Sequence, residues 1–453
     1  MRNLFYILCS VLLIPGFVAC DNDEGLNTDP EFRLSFSVDT LSFDTLFTGF
    51  GSTTMQFKVY NKSSKRVNVE EVFLQDNNSP YRLNVNGLTG ENFSNIEIGA
   101  NDSLFVFVEV DLKENNADDP VLLEDILVFN VNGKLQGLIL STWAQDVVLV
   151  EDNILSSQNW TGNRPYLVNQ QIAINENVIL GMDKGTRVYF GKNAGMDIHG
   201  SVQINGSFEE PVYLGSSRLE ELYENVPGQW NGLYFHESSS GNVMSYFRLE
   251  DGINGIKFQG NENGPNELEL EYGVIQNFTE NGISATHVDL VAHDLLVLNC
   301  GDECLRVENG EFDLYHSTFY NSWNFDVRTL PVIQLMNATG KSIEIANCIV
   351  WGSQRDELMI DNTTGLQIEN TLLKLGNSLQ TDYSSIFSNC IFNENPEFTS
   401  LEERLFTLSD ISPCINSGKV EFGVTFPLDL QNTARNVDAA PDMGAYEFKE
   451  ALE

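Results

Sequence analysis

The chain reads as an all-β protein, with an antiparallel sandwich in its first third and a parallel β-helix after it. Three observations predict this. Short runs of alternating apolar and polar residues recur between polar turns, and residues 32–146 carry no helical period. From Ser245 onward a strand pattern repeats, at steps of 26, 22, 22, 31, 23 and 19 residues. A step near 22 suits one coil of three short strands and three turns, and such a coil buries its apolar face only against stacked neighbours.

Composition bounds the partners. The 453 residues hold 65 acids against 25 Lys and Arg, a formal charge of −40. Such a surface offers nucleic acid no basic footprint. It also repels anionic polysaccharide unless a basic groove or bound Ca²⁺ reverses the local sign. No cofactor motif is present, and Ca²⁺ is the one ion these acids would suit.

Residues 1–19, "MRNLFYILCSVLLIPGFVA", place Arg2 ahead of an apolar run too short for a comfortable membrane span. That is the layout of a secretory signal. The run ends in "FVAC", and with small Ala19 before Cys20 it resembles the lipobox of bacterial lipoproteins. The resemblance implies removal of residues 1–19 and lipidation of Cys20, although Phe17 replaces the usual aliphatic residue. "DNDE", residues 21–24, resembles the acidic export signal of Bacteroidetes surface lipoproteins. That implies an anchor in outer-membrane lipid through Cys20, at the cell surface. Residues 20–31 read as an acidic tether.

Residues 32–146 carry the alternating runs "MQFKVYN", "RVNVEEVFL", "YRLNVNG", "SLFVFVEV", "DILVFNV" and "GLILSTW", which predict the sandwich. The order "VYNKSSKRVNVEEVFL", "IGANDSLFVFVEV" and a last strand ending "WAQD" resembles immunoglobulin-like domains of the abnormal-spindle and hydin type. The resemblance implies an immunoglobulin-like β-sandwich acting as spacer or binding module. "DTL" at 39–41 and 44–46 and "DSL" at 102–104 look like the O-glycosylation acceptor of Bacteroidetes, with Thr40, Thr45 and Ser103 as sugar carriers.

Residues 150–448 are the predicted β-helix. One column reads Leu249, Ile275, Val297, Phe319, Val350, Leu373, Phe392, and a second, two residues earlier, reads Phe247, Gly273, Leu295, Ser317, Cys348, Thr371, Cys390. Positions two apart share a face of a strand, so both columns should point inward. Asp251, Asn277, Asn299 and Asn321 follow the strand at one place in four coils, where Asn and Asp suit a left-handed corner and can form an amide ladder. Cys300, Cys304, Cys348, Cys390 and Cys414 form an odd set at no zinc-like spacing, so at least one thiol stays free. His293 and His316 fall within one position of a common column, where a stacked surface pair is expected and a metal site is the alternative.

"VILGMDKGTRVYFGKNAGMDIHGSVQINGSFEEPVYLGSS" with "PGQWNGLYF" resembles the start of right-handed parallel β-helix lipoproteins common in Bacteroidetes. "NPEF", "SPCINSG", "LDLQNTAR" and "PDMGAYEF" resemble the closing segment of surface β-helix proteins termed choice-of-anchor Q. The latter resemblance implies a C-terminal cap and no activity.

The stretch "NCGDECLRVENG" carries the chemistry worth weighing. "CGDEC" is similar to the G-D-D-C-like motif of polygalacturonase-type hydrolases. Glu280 lies 22 residues before Asp302, so Glu280, Asp302 and Glu303 are candidate acids on one turn face. The G-H-G and R-I-K motifs of those hydrolases are missing, and a turn before inward Ile283 and Leu305 would read the same way. A β-helix lyase would use Ca²⁺ and a basic residue, for which Arg306 is the candidate with Lys257 as company. Trp230, Tyr234, Trp323 and Trp351 are candidates for stacking on sugar or for core packing. The expected role is a non-catalytic scaffold binding glycan or a host surface. A lyase or hydrolase of acidic glycans and a purely structural envelope protein are the alternatives.

Overall fold

The computed structural model describes residues 25–450, apart from 263, 265 and 338–341. The signal run, Cys20 and the acids at 21–24 lie outside the described residues. The chain divides into two compact units, one holding residues up to Glu114 with Val121–Ala144, the other Asn115–Pro120 with everything from Gln145.

The first unit has two five-stranded sheets. One runs in the order Ser35–Phe36, Met55–Tyr60, Ser103–Val110, Tyr81–Val85, Leu88–Gly90. The other runs Thr40–Phe47, Lys134–Gln145, Val121–Val131, Val67–Leu74, Asn92–Ile98. Phe57, Val59, Val106 and Val108 from one sheet share a core with Val69, Val72, Leu127 and Leu140 from the other. Alternation along each strand sends one set inward and leaves the other wet. The end of the tether is already bonded down: Asn27 N donates to Arg66 O at 2.8 Å, and Asn132 Nδ2 donates to Asp29 O at 2.9 Å.

The second unit is a parallel β-helix with three faces. The first and second faces interleave in a 19-stranded sheet, and the third is an eight-stranded sheet running from Gln171–Ile174 to Leu358–Ile360. In the long strands Asn242–Glu250 and Asn266–Phe278 the chain bends from first face to second without a break. The first predicted column holds residue for residue: Leu249 pairs with Ile275, Ile275 with Val297, Val297 with Phe319, Phe319 with Val350, Val350 with Leu373 and Leu373 with Phe392. Gly273 is in its column because a Cβ there would sit 2.4 Å from the Phe247 ring.

Many corners use left-handed residues. Asp251, Asn277 and Asn299 adopt φ of 66°, 62° and 57°, and Asn277 Nδ2 donates to Asp251 Oδ1 at 2.9 Å while Asn299 Nδ2 donates to Asn277 Oδ1 at 3.0 Å. Asn321 leaves the ladder and donates instead to Cys300 O at 2.7 Å. The corner between first and second faces is held left-handed by Tyr246, Tyr272, Asp294, His316, Asn347, Asn370 and Asn389. Tyr246 and Tyr272 stack there with centroids 4.4 Å apart, and that contact stabilises a backbone region unfavourable to bulky residues.

Among the described residues the five cysteines are free thiols, and Thr371, whose Oγ1 accepts from Cys348 N at 3.3 Å, separates Cys348 from Cys390. His293 and His316 are not a surface pair. Both are buried, His293 against Asp294 at 2.8 Å and His316 against Asn347 at 3.1 Å, and Phe426 packs on both rings. The stacked pair is His199 with His236, 4.1 Å between centroids.

The short helix Asn377–Asp382 brings Leu379 and Tyr383 onto the last rungs of the apolar core, and Tyr383 Oη donates to Ile360 O at 2.8 Å. The segment after Asn393 lies along the flank. Phe398 and Phe406 cover Val274, Leu296, Leu298 and Tyr320; Met443 and Cys414 cover Ile349 and Leu372; Phe422 and Phe426 cover Tyr315 and Ala346. "PDMGAYEF" is the clasp of this strap. Gly444 donates to Asn347 O at 2.8 Å, Ala445 donates to Thr318 Oγ1 at 3.0 Å, and a Cβ on Gly444 would meet Ile349 at 2.7 Å. Beneath it, fully buried Arg435 binds Asp294 and, at 2.6 Å, Glu447.

Candidate functional site

"CGDEC" is the corner between second and third faces. Cys300 and Cys304 point inward and are fully buried. Gly301 stands where a Cβ would lie 2.1 Å from Thr279 O, so the turn packs on its neighbour with no room for a side chain. Asp302 N donates to Glu280 O at 3.2 Å, which sets Glu280 and Asp302 on successive rungs, about 4.8 Å apart along the stack.

The three candidate acids part company here. Glu280 is exposed, with Oε2 accepting from Asn254 Nδ2 at 2.9 Å. Asp302 is half-buried, and burial, then the charge of Glu280, raises its pKa above the usual carboxylate value. Glu303 is turned into the corner with 1 % exposure. Its Oε2 accepts from Asn281 Nδ2 at 2.9 Å, its Oε1 has no partner, and burial raises its pKa.

Arg306 stands on the outer side of the third face, in a column that the register writes as Tyr234, Lys257, Ser284, Arg306, Gln334. Its guanidinium donates to Glu308 Oε2 at 3.2 Å. Lys257, two rungs away, holds its ammonium 5.9 Å from the Tyr234 ring centroid. The same flank carries Asp197, whose Oδ1 is 2.9 Å from His236 Nε2. Among the described residues, no group of three or more His, Cys, Asp or Glu is arranged to hold a metal ion.

The aromatic candidates separate too. Trp230 is core, stacked on Phe190 at 4.2 Å, and Trp351 is half-buried under the strap with Lys374 over its ring. Trp323 is half-exposed, and its ring lies against the turn: a Cβ on Gly301 would be 3.4 Å from Trp323 Cε2. Phe325, exposed and 5.0 Å from Trp323, joins it and was not singled out in the sequence. The signal for it was the 31-residue step from Phe319 to Val350, an insertion into one coil. Arg328 anchors that loop through a buried pair with Glu357, at 2.6 and 2.9 Å. The acceptor candidates stand on the sandwich strands, Thr40 exposed, Thr45 and Ser103 half-buried.

No protein-family model matches the chain, and no curated protein matches it. Among solved structures, a protein of unknown function from Porphyromonas gingivalis W83 is similar at 12% identity, over 30% of this chain and 58% of that one, with a TM-score of 0.20. A family 123 glycoside hydrolase from Clostridium perfringens is similar at 10% identity, over 30% of this chain and 26% of that one, TM-score 0.19. The catalytic domain of a GH87 α-1,3-glucanase is similar at 8% identity, over 80% of this chain and 91% of that one, TM-score 0.16. At such scores none of these likenesses bears on activity.

Proposed function

We propose that the protein is a surface lipoprotein of the outer membrane, anchored through Cys20, whose β-helix holds an extended neutral glycan at the Glu280–Asp302 turn without cutting it. The leader, the lipobox-like "FVAC" and the acids after it support the address. The sandwich then serves as spacer, and export would leave Thr40, Thr45 and Ser103 open to glycosylation.

One observation carries the binding reading. Glu303 is 1 % exposed and bonded to Asn281, so the acid cluster of a cleaving site is split. What remains at the surface is two carboxylates able to accept from sugar hydroxyls, beside the apolar rings of Trp323 and Phe325. A neutral chain suits this turn better than a uronate, because Arg306 is engaged by Glu308 and Lys257 leans over Tyr234.

A hydrolase is the second reading, favoured by Asp302: a carboxyl raised by burial and by a neighbouring acid is how acid and base roles are separated. A lyase using Arg306 would first have to free it from Glu308.

The test incubates the full chain with immobilised neutral and uronate-rich glycans. Retention of a neutral glycan, lost in Trp323→Ala and weakened in Asp302→Asn with no new chain ends, is the expected result. New reducing ends abolished by Asp302→Asn would replace binding by hydrolysis, and no retention across the panel would sink both. Lipid labelling that persists in Cys20→Ala would refute the anchor.

A further inference from the structure

Between the second face and the strap's hairpin of Phe398–Ser400 and Leu405–Leu408 lies a cleft of about 180 Å³. Apolar Leu298 and Phe406 and polar Asn299, Ser322, Asn324 and Arg404 line it. Asn299 is the open end of the amide ladder: its Nδ2 donates down to Asn277, while the next rung, Asn321, turns away to Cys300 O and Asp302 O. Asn299 thus lines the cleft, and the amide of the rung above is spent on Cys300 O and Asp302 O.

Arg404 supplies a cation. It adopts φ of 57°, a left-handed conformation that costs a non-glycine residue energy, and its guanidinium is pinned to Asn225 and, at 3.2 Å, to Asn277. Glu402 also lines the cleft, so the lining carries one charge of each sign. The cleft is thus small, partly apolar, and rimmed by amides, a hydroxyl and a balanced pair of charges. Its volume is below the roughly 300–1,000 Å³ of a drug-sized site, room for one ring. Ser322 and Asn324 alternate along the loop with Trp323 and Phe325, so a single loop serves both this cleft and the turn.

We propose that the cleft binds one neutral pyranose, the terminal ring of a glycan chain. Naming a sugar rests on the reading of the turn as glycan-binding; the existence of a small-molecule site rests on the cleft alone.

The experiment titrates the full chain with methyl glycosides of glucose, galactose, mannose and N-acetylglucosamine, read by saturation-transfer NMR and calorimetry. One of them is expected to bind, about tenfold or more weaker in Ser322→Trp, which plugs the cleft from its exposed rim. Weaker binding is also expected in Tyr320→Phe, which removes a lining hydroxyl and keeps the ring packed on Phe398 and Phe406. No binding by any glycoside, or binding indifferent to both cleft variants, overturns the proposal. Polymer retention without glycoside binding would remove the cleft and leave the turn standing, whereas glycoside binding without retention would do the reverse.

Discussion

Asp251 stands at the foot of the amide ladder, where burial raises its pKa to about 7 against the hydrogen bond from Asn277. The sign of its effect follows from linkage. Below the ordinary aspartate value of 3.8 both folded and unfolded chains carry the proton, and burial costs nothing. Between that value and about 7 the unfolded chain ionises while the folded one resists, so stability falls as pH rises through this window. Asp251→Asn keeps the shape, the left-handed corner and the acceptor for Asn277. It should match wild type near pH 4 and exceed it at pH 8 by on the order of 2 kcal/mol, measured by urea unfolding. Equal stability of the two at pH 8 would mean that the carboxylate is solvated in the folded chain. The three candidate acids teach a related lesson: "GDE" put all of them at one corner, but only packing could turn Glu303 inward and leave Asp302 out.

At the scale of elements, the stacked columns were legible because inward positions repeat with the coil. The Asn column was legible for three rungs of four, Asn321 alone leaving it for Cys300 O. The left-handed corner at Tyr246 and Tyr272 was not, since tyrosine has no local preference for that backbone and only its stacking partner stabilises it. The inserted loop, too, depends on a distant partner. Arg328→Met leaves Glu357 buried without its cation and should cost about 3–5 kcal/mol, and Arg328→Met with Glu357→Leu should recover most of it. Denaturant midpoints check both variants. A single variant as stable as wild type would show the pair to be dispensable. Gly273→Ala, by contrast, presses on Phe247 at 2.4 Å and should cost about 1–3 kcal/mol, partly restored by Phe247→Leu.

For the second unit as a whole, the strap decides which surfaces remain for a ligand. It covers much of the second face and the corner beside the first, leaving the outer side of the third face uncovered by it. Arg435→Ala strands Asp294 and Glu447 in the interior, so the strap should detach. Coils contact chiefly their neighbours, so they should persist without it. Limited proteolysis of this variant is expected to cut within residues 395–448 while strand content by circular dichroism holds. One cooperative loss of both signals would instead make the strap part of the folding core.

The sequence by itself determined the class of fold, the parallel stack and its inward columns, because each follows from a side-chain period that a coil repeats locally. It also pointed to "PDMGAYEF" as a special segment and to "CGDEC" as a corner. Only the tertiary structure decided that "PDMGAYEF" clasps the flank, that His293 and His316 lie buried beneath it, and that Trp323 faces Gly301. These depend on contacts between residues far apart in the chain. Such contacts leave no period to read, and burial and electrostatics settle them only when the surfaces meet.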